Sequence, residues 1–542
     1  MAGFATTCRG VTYFKAPESY KGECASRILT ATTDARLIAV DARSGALCTD
    51  FGNHGAINLL DHMGEVKPGF HFTTSPPIIA RGVAVLGGWV ADNAEVGEPS
   101  GVIRAFDPVS GKFAWAWDMG RPGINTEPQG DEIYTRGTPN GWSLFSADEE
   151  LGLVYIPTGN ATPDYFGKQR TPEMEKYASS VVALDATNGS VRWSFQTVHH
   201  DIWDYDVPSQ PVLFDIRNAD GSVTPALIQG TKRGELFLLD RRDGKPLAAV
   251  EERPVPQGGV PEDWTAKTQP FSVGMPQFRG PDLREADMWG LTPIDQLWCR
   301  IEFHRIRYEG HFTPPSERPS LQMPGNAGGF NWGSVAVDED NQLLIANPLI
   351  IGNRVQLIPR AKVPKTQRGG LQLGTPYAMT TVPFLSPLEV PCQRPPYGRL
   401  AAIDLQTHEL LWSKRIGTTN EMGPLGIRFR LKLPMGIPQT AGTLVTRGGL
   451  IFVGGTMDRY FRAFDVKTGA ELWSDSLPAS AQATPMTYSS PKSHRQIVVL
   501  TVPPVNRLPF ARQSPRPPGS PPPPLTEEEQ AGGYIIAYAL TR

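Results

Sequence analysis

Apolar and polar positions alternate with a period of two over much of the chain, the pattern of strands with one buried face. The alternation falls into a repeated unit. An apolar run ends in Asp, a turn closes on Gly, and a second run carries Trp four residues later. The unit reads VIRAFDPVSGKFAW from Val102 to Trp115, VVALDATNGSVRW from Val181 to Trp193 and YFRAFDVKTGAELW from Tyr460 to Trp473. Weaker copies run from Leu37 to Thr49, Leu236 to Ala248 and Leu400 to Trp412. The final GYIIAYALTR has the strand pattern without a partner.

Each unit predicts a hairpin. The Asp can bond the backbone of the turn it opens, and Gly supplies the positive φ that the turn needs. The Trp offers a large flat apolar surface to a neighbouring sheet. Such repeats at irregular spacing predict an all-β fold, a β-propeller of four-stranded blades with tryptophan-docking repeats. An array of β-sandwiches is the structural alternative. The 164-residue gap between Asp240 and Asp404 has room for two further blades, and Asn331 to Pro348 reads as one hairpin there. Residues 1–542 are expected to form a single domain. Residues 253–330, rich in Pro, Gly and aromatics, predict an irregular insertion. Residues 503–524 predict a proline-rich surface loop, because Pro cannot join a central strand.

Composition narrows the function. Gly (55) and Pro (52) approach a fifth of the 542 residues, which favours turns and short strands. Hydrophobic residues are 40% and charged ones 20%, enough to bury a large core. A formal net charge of −3 removes the electrostatic case for a general nucleic-acid binder. No run of about 18 apolar residues predicts a membrane span, and Met1 to Gly10 lacks a basic-then-apolar leader pattern. The five cysteines, Cys8, Cys24, Cys48, Cys299 and Cys392, form no CxxC pair, so a zinc cage is not predicted. They read as buried thiols with one or two disulfides, of unspecified pairing.

The densest chemistry is HHDIWDYD, His199 to Asp206. Carboxylates beside Trp and Tyr are partly desolvated, which suits a general base or a metal ligand. Taken alone, the motif reads equally well as a polar loop with a structural Trp. His199 and His200 read as loop-packing residues, and His304 and His311 as structural. ADMWG, with Asp287 and Trp289, reads as the rim of a substrate mouth or as a packed loop.

Taken with the tryptophan repeat and TGNATPD (Thr158 to Asp164), the motif resembles the pyrroloquinoline quinone (PQQ) dehydrogenases. The likeness is to the membrane-bound glucose, quinate/shikimate and polyol branch in particular. CRGV (Cys8 to Val11), TSPPII (Thr74 to Ile79), ADMWG (Ala286 to Gly290), RYEGHFTPPSE (Arg307 to Glu317), NWG (Asn331 to Gly333), IANP (Ile345 to Pro348) and QATPMTY (Gln482 to Tyr488) extend it, in order, along nearly the whole chain.

The resemblance implies an enzyme that oxidises a secondary or hemiacetal hydroxyl of a cyclic polyhydroxy substrate and passes electrons to a ubiquinone-type acceptor. Asp204 matches the family's catalytic base, and Lys232 a lysine near the cofactor's quinone oxygens, where positive charge stabilises developing negative charge. Trp142 matches the tryptophan on which PQQ stacks. Asn331, Trp332 and Asn347 match positions around the cofactor. Asp92, Asn93, Asn160 and Asp206 match the surroundings of a cation, for which oxygen donors suit Ca²⁺ or another divalent ion. The family fold is eight-bladed and lies on the periplasmic side of the inner membrane.

Three departures from that pattern qualify the expectations. The chain starts at about CRGV, so most of the first blade and the membrane-contacting N-terminal region are expected to be absent. Phe14 stands near a position where the glucose enzymes carry His, which weakens the case for glucose. VPPVNR (Val502 to Arg507) and the proline tract replace a Gly-rich segment associated with electron transfer to quinone. The readings from another class are a non-catalytic propeller scaffold and an inactive fragment of such an enzyme.

Overall fold

The computed structural model describes residues 10–22, 24–424, 430–504, 527 and 532–540; Cys8 and residues 505–524 of the proline-rich tract lie outside them. Among the described residues, seven of the ten antiparallel sheets are three- or four-stranded meanders that succeed one another along the chain. The first holds Thr12–Lys15, Ser26–Ala31, Arg36–Asp41 and Ala56–Asn58, and the second Ile78–Ala80, Val83–Leu86, Ile103–Phe106 and Phe113–Trp117. The third holds Ser146–Asp148, Leu153–Pro157, Ser180–Asp185 and Val191–Gln196. The fourth has three strands, Val212–Arg217, Val223–Gly230 and Leu236–Asp240. The fifth holds Ala336–Asp338, Leu343–Ala346, Arg399–Asp404 and Leu410–Arg415, and the sixth Thr443–Val445, Leu450–Val453, Tyr460–Asp465 and Glu471–Ser476. The seventh has Met486–Ser489, Gln496–Val502 and Tyr534–Ala539.

Side chains alternate across each strand, so the second to sixth sheets bury both faces against their neighbours. One apolar cluster joins Leu29, Leu37 and Ala39 to Leu86 and Phe106 between the first and second sheets. Comparable clusters join the second to the third, third to fourth, fourth to fifth, fifth to sixth and sixth to seventh. Among the described residues no such cluster joins the seventh sheet to the first, and Tyr13, Met486, Tyr488 and Ile535 stand exposed there.

The repeat locks the sheets together at its turns. Asp107 Oδ1 accepts from the N–H of Val109 (3.1 Å) and Ser110 (2.6 Å), and Asp465 Oδ1 does the same for Lys467 and Thr468. The indole of one repeat then lies on the turn glycine of the next. A Cβ at Gly189 would fall 2.4 Å from Trp115, one at Gly244 2.5 Å from Trp193, and one at Gly469 2.6 Å from Trp412. Each indole N–H also donates to that next turn: Trp115 to Ala186 O, Trp193 to Arg241 O and Trp412 to Val466 O. The fourth repeat carries Ala248 instead of Trp, and the turn after it carries His408 where the others have Gly. His408 still adopts φ +62°. With no indole to dock, a side chain is tolerated.

Two expectations change. Trp473 is 40% exposed, because no Asp–Gly turn of a following repeat is present among the described residues; its ring meets Phe461 and Tyr538 edge-on. The long gap holds one blade, the fifth sheet to which Asp404 itself belongs, and not two. The rest of it forms a ribbon, Val250–Pro254 with Thr268–Ser272, and a small sheet, Ser320–Gln322, Asn353–Pro359 and Tyr377–Pro383. That small sheet packs Val355, Leu357 and Met379 on Tyr165 and Phe166, over the third sheet's loops. The helix Pro293–Arg305, capped by Thr292, is pinned by the Cys299–Cys392 disulfide; Cys24 pairs with Cys48. No helix among the described residues is long and apolar enough to cross a membrane.

The docking geometry predicts unequal roles for the tryptophans. Trp115→Ala, at a fully buried indole, should cost about 3–5 kcal/mol. Trp473→Ala should cost about 1–2 kcal/mol, since much of its ring stays in water. Denaturant unfolding of the two variants checks the difference.

Candidate active site

In an antiparallel meander, the connections entering first strands and those between second and third strands emerge on the same face. The expected site residues all fall on such connections. Trp142, Asp204, Asp206, Asn331 and Trp332 precede the first strands of the third, fourth and fifth sheets. Asp92, Asn93, Asn160, Lys232 and Asn347 lie between second and third strands of the second to fifth sheets. The Asp–Gly turns with their indoles occupy the opposite face.

Lys232 is the centre of the cluster. Its Nζ donates to Asp204 Oδ1 (2.5 Å), to Asp204 O (3.0 Å) and to Asp206 Oδ2 (3.2 Å). Asn326 Nδ2 donates to the other Asp204 oxygen at 2.7 Å and is itself held by Asn353. Asp206 accepts from Trp142 Nε1 (3.0 Å) and from the Asn160 N–H (2.8 Å). The Asn160 side-chain nitrogen is committed to Asp201 O and Asp164 O, and its oxygen accepts the Ala161 N–H at 2.8 Å.

The local sequence explains the geometry. Asp204 sits at φ +58°, a conformation uncommon outside glycine. Asp201 imposes it, accepting the N–H of Trp203 (2.9 Å) and Tyr205 (2.8 Å) on a fully buried carboxylate. Trp203 and Tyr205 point away, into the insertion, donating to Thr313 O and Pro324 O. The intervening Asp204 and Asp206 are thereby turned toward Lys232. His199 bonds Gln196 and Glu252, and His200 is clamped between Glu175 and Asp263 under Trp264; both are loop-packing residues. Trp289 N donates to Cys392 O, and Asp287 bonds Arg284, so ADMWG is a packed loop.

Negative charge exceeds positive charge here. Asp92 and Asp164 adjoin the same lysine, and Asp164 Oδ2 accepts from Asn93 Nδ2 at 2.7 Å. Burial pushes the Asp204 carboxyl up to about 8, with Lys232 opposing and Asp206 and Asp92 adding to the rise. Burial and the Asp206 charge lift Asp92 to about 6. Asp164 is raised well above the carboxylate range by burial and then by Asp92. For Lys232, burial favours the neutral form, but Asp204 and Asp206 outweigh it and hold the ammonium charged. A buried excess of carboxylates with oxygen donors alone is the chemistry of a hard cation site. The oxygens are spread rather than convergent. Among the described residues, the one acid or thiol triple with ligand atoms within 4.8 Å is Cys24, Cys48 and Asp50, where the sulfurs are bonded to each other.

Asn331 and Asn347 line an adjoining cavity with Gly329, Ser334, Gln439 and Ala441. Asn347 Nδ2 donates to Ala441 O, leaving its buried Oδ1 without a donor, and Gln439 Oε1 is likewise unpaired. Unmatched buried acceptors suit a ligand that brings donors. The cavity abuts the lysine turn through Gly329 N–H to Lys232 O (2.6 Å). Trp332 donates to Gln482 O. The structure therefore brings Trp142, Asn160, Asp204, Asp206 and Lys232 into contact, sets Asp92 and Asn93 beside them, and puts Asn331 and Asn347 next door. Asp164, Asn326 and Asp201 escaped the sequence reading. Asp164 and Asp201 lie inside quoted motifs, but nothing local marks their partners.

Residues 2–498 match the family described as "PQQ: Glucose/ethanol/alcohol dehydrogenase, beta-propeller domain". The glycerol dehydrogenase large subunit of Gluconobacter oxydans is 46% identical, over 92% of this chain and 70% of its own length. The quinoprotein glucose dehydrogenase of Escherichia coli is 44% identical over 91% and 64%, and the quinate/shikimate dehydrogenase (quinone) of Acinetobacter baylyi 41% over 99% and 67%. The fold is that of the quinohemoprotein alcohol dehydrogenase of Comamonas testosteroni, with a TM-score of 0.59 at 22% identity, covering 91% of this chain and 62% of that one. The chain thus spans roughly two thirds of the length of these relatives. With its tryptophan-locked sheets and a lysine–aspartate cluster on their loop face, this chain belongs to the PQQ-dependent dehydrogenase β-propeller family.

Proposed function

We propose that the chain oxidises a secondary or hemiacetal CH–OH group of a cyclic polyhydroxy molecule, such as glucose, quinate/shikimate or a cyclitol, and delivers the electrons to a ubiquinone-type acceptor. The observation that carries this is Asp204, presented on a left-handed backbone and gripped by Lys232 and Asn326. A scaffold has no need of a buried carboxylate cluster, whose desolvation is costly. The proposed location is the periplasmic side of the inner membrane.

The residues present fit PQQ. Trp142 offers the stacking surface, Asn331, Trp332 and Asn347 line the surroundings, and the unpaired Asn347 Oδ1 is free to accept a hydrogen bond. PQQ, when bound, would supply an electrophilic quinone as the hydride acceptor. Asp204, when ionised, accepts the proton of the substrate hydroxyl within the sheltered pocket. Lys232 keeps its charge there and would stabilise negative charge on a bound quinone. Asp92, Asn93, Asn160 and Asp206 are the proposed holders of Ca²⁺ or another divalent cation, which balances the excess carboxylates.

Asp204→Asn should abolish dye-linked dehydrogenase turnover, mainly through kcat, while PQQ occupancy is retained, because Asn keeps the size but cannot take the proton. Trp142→Ala should instead weaken PQQ retention by about 1–3 kcal/mol, by analogy with base–aromatic stacking. Equilibrium dialysis of PQQ and kcat for both variants separate the two roles.

The carboxyl shifts also fix a pH dependence. Asp92 at about 6 and Asp204 at about 8 lie above the ordinary value of 3.8. Folding therefore favours their protonated forms, and this contribution is complete below pH 4 and lost as pH rises through 6 to 8. Melting of the metal-free chain should fall in temperature from pH 5 to pH 8. Added CaCl₂ should raise it more at pH 8, where protons no longer compete with the cation.

A further inference from the structure

We propose that Asp164 is a positioning residue that fixes the side chain of Asn93 for cation binding. The proposal rests on the reading that Asp92, Asn93, Asn160 and Asp206 hold the cation. Asp164 meets Asn93 at two points. Its Oδ2 accepts from Asn93 Nδ2 at 2.7 Å, and its own N–H donates to Asn93 Oδ1 at 3.3 Å. The same N–H also points to Asp92 O at 3.3 Å. An amide side chain can present either end; here the nitrogen is tied to carboxylate and the oxygen to a backbone N–H.

Nothing else explains a carboxylate at this place. Asp164 is 2% exposed. The Lys232 ammonium is committed to Asp204 and Asp206, and the nearby Arg170 donates to the carbonyls of Pro163, Asp164 and Asp201. Among the described residues, a neutral amide is thus the hydrogen-bond donor to the buried Asp164 carboxylate, an arrangement unfavourable for stability taken alone.

The surroundings hold the Asn93–Asp164 pair in register. Glu98 Oε1 accepts the N–H of Ala94 (3.1 Å) and Glu95 (2.8 Å), closing the loop behind Asn93. Gln372, from the excursion between the second and third strands of the fifth sheet, touches both sides. Its N–H donates to Asn93 O (3.1 Å), and its Oε1 accepts from the Tyr165 N–H (3.3 Å). Leu373 N–H adds a bond to Ala94 O at 2.8 Å. Three blades therefore contribute to aiming one amide.

Calorimetric titration of CaCl₂ into the PQQ-saturated chain tests the assignment. Asp164→Asn should lower Ca²⁺ affinity about tenfold or more, the range typical of groups that orient metal ligands. Melting in EDTA should stay the same or rise, because Asn keeps the size of Asp164 and removes a carboxyl that burial disfavours. Asn93→Ala should lose affinity similarly, and the double variant should lose no more than Asn93→Ala, since both changes act through one side chain. Unchanged affinity in Asp164→Asn, or additive losses in the double variant, overturns the positioning role. A wild-type chain that takes up no Ca²⁺ overturns the cation reading beneath it.

Discussion

The docking of an indole on the glycine of the next turn is the contact on which the rest depends. Without a Cβ, the turn lets the ring lie within van der Waals reach of backbone, and the indole N–H finds a carbonyl of that same turn. Each contact sets the separation and angle of two adjacent sheets. Indoles fix the second sheet to the third, the third to the fourth and the fifth to the sixth, and apolar packing joins the fourth to the fifth. Loops from the second to fifth sheets can therefore meet on the opposite face with hydrogen-bond accuracy. Where Ala248 replaces Trp, the following turn carries His408 in place of Gly; where Thr49 replaces it, the following turn keeps Gly111.

On the loop face the governing quantity is charge in a place of low dielectric. Lys232 spends its donors on Asp204 and Asp206, so Asp92 and Asp164 are left without cationic partners in hydrogen-bond contact among the described residues. A site tuned only for stability would exchange such groups for apolar ones. Here they stand beside a carboxylate held at φ +58°, which supports the proposed chemistry. The motif HHDIWDYD divides its labour by direction: Asp201 ties the backbone, the aromatics anchor in the insertion, and the two last aspartates face the lysine.

The insertions are part of the site's support. The excursion that carries the small third-layer sheet supplies Asn353, which braces Asn326 against Asp204, and Gln372, which straps the Asn93 loop. Its core packs on Tyr165 and Phe166, directly after Asp164. Long loops of this kind carry function when a rigid scaffold fixes their ends.

By itself the sequence determined the repeat, the antiparallel hairpins, the all-β class and the residues whose chemistry stands out, because these follow from period-two alternation and from side chains within about a dozen positions. Asp204, Asp206 and Trp142 were legible through dense motifs and family resemblance. What only the tertiary structure decided depends on distance through space. Trp473 looked like its fellows but lacks a following turn on which to dock. The long gap looked large enough for two blades, yet its apolar residues cover loops instead. Asp164, Asn326 and Gln372 carry no local signal, since each matters for a partner that ring assembly brings from another blade. Short-range pattern encodes strands and turns; the electrostatic balance of a site assembled from four blades exists only once the sheets are locked.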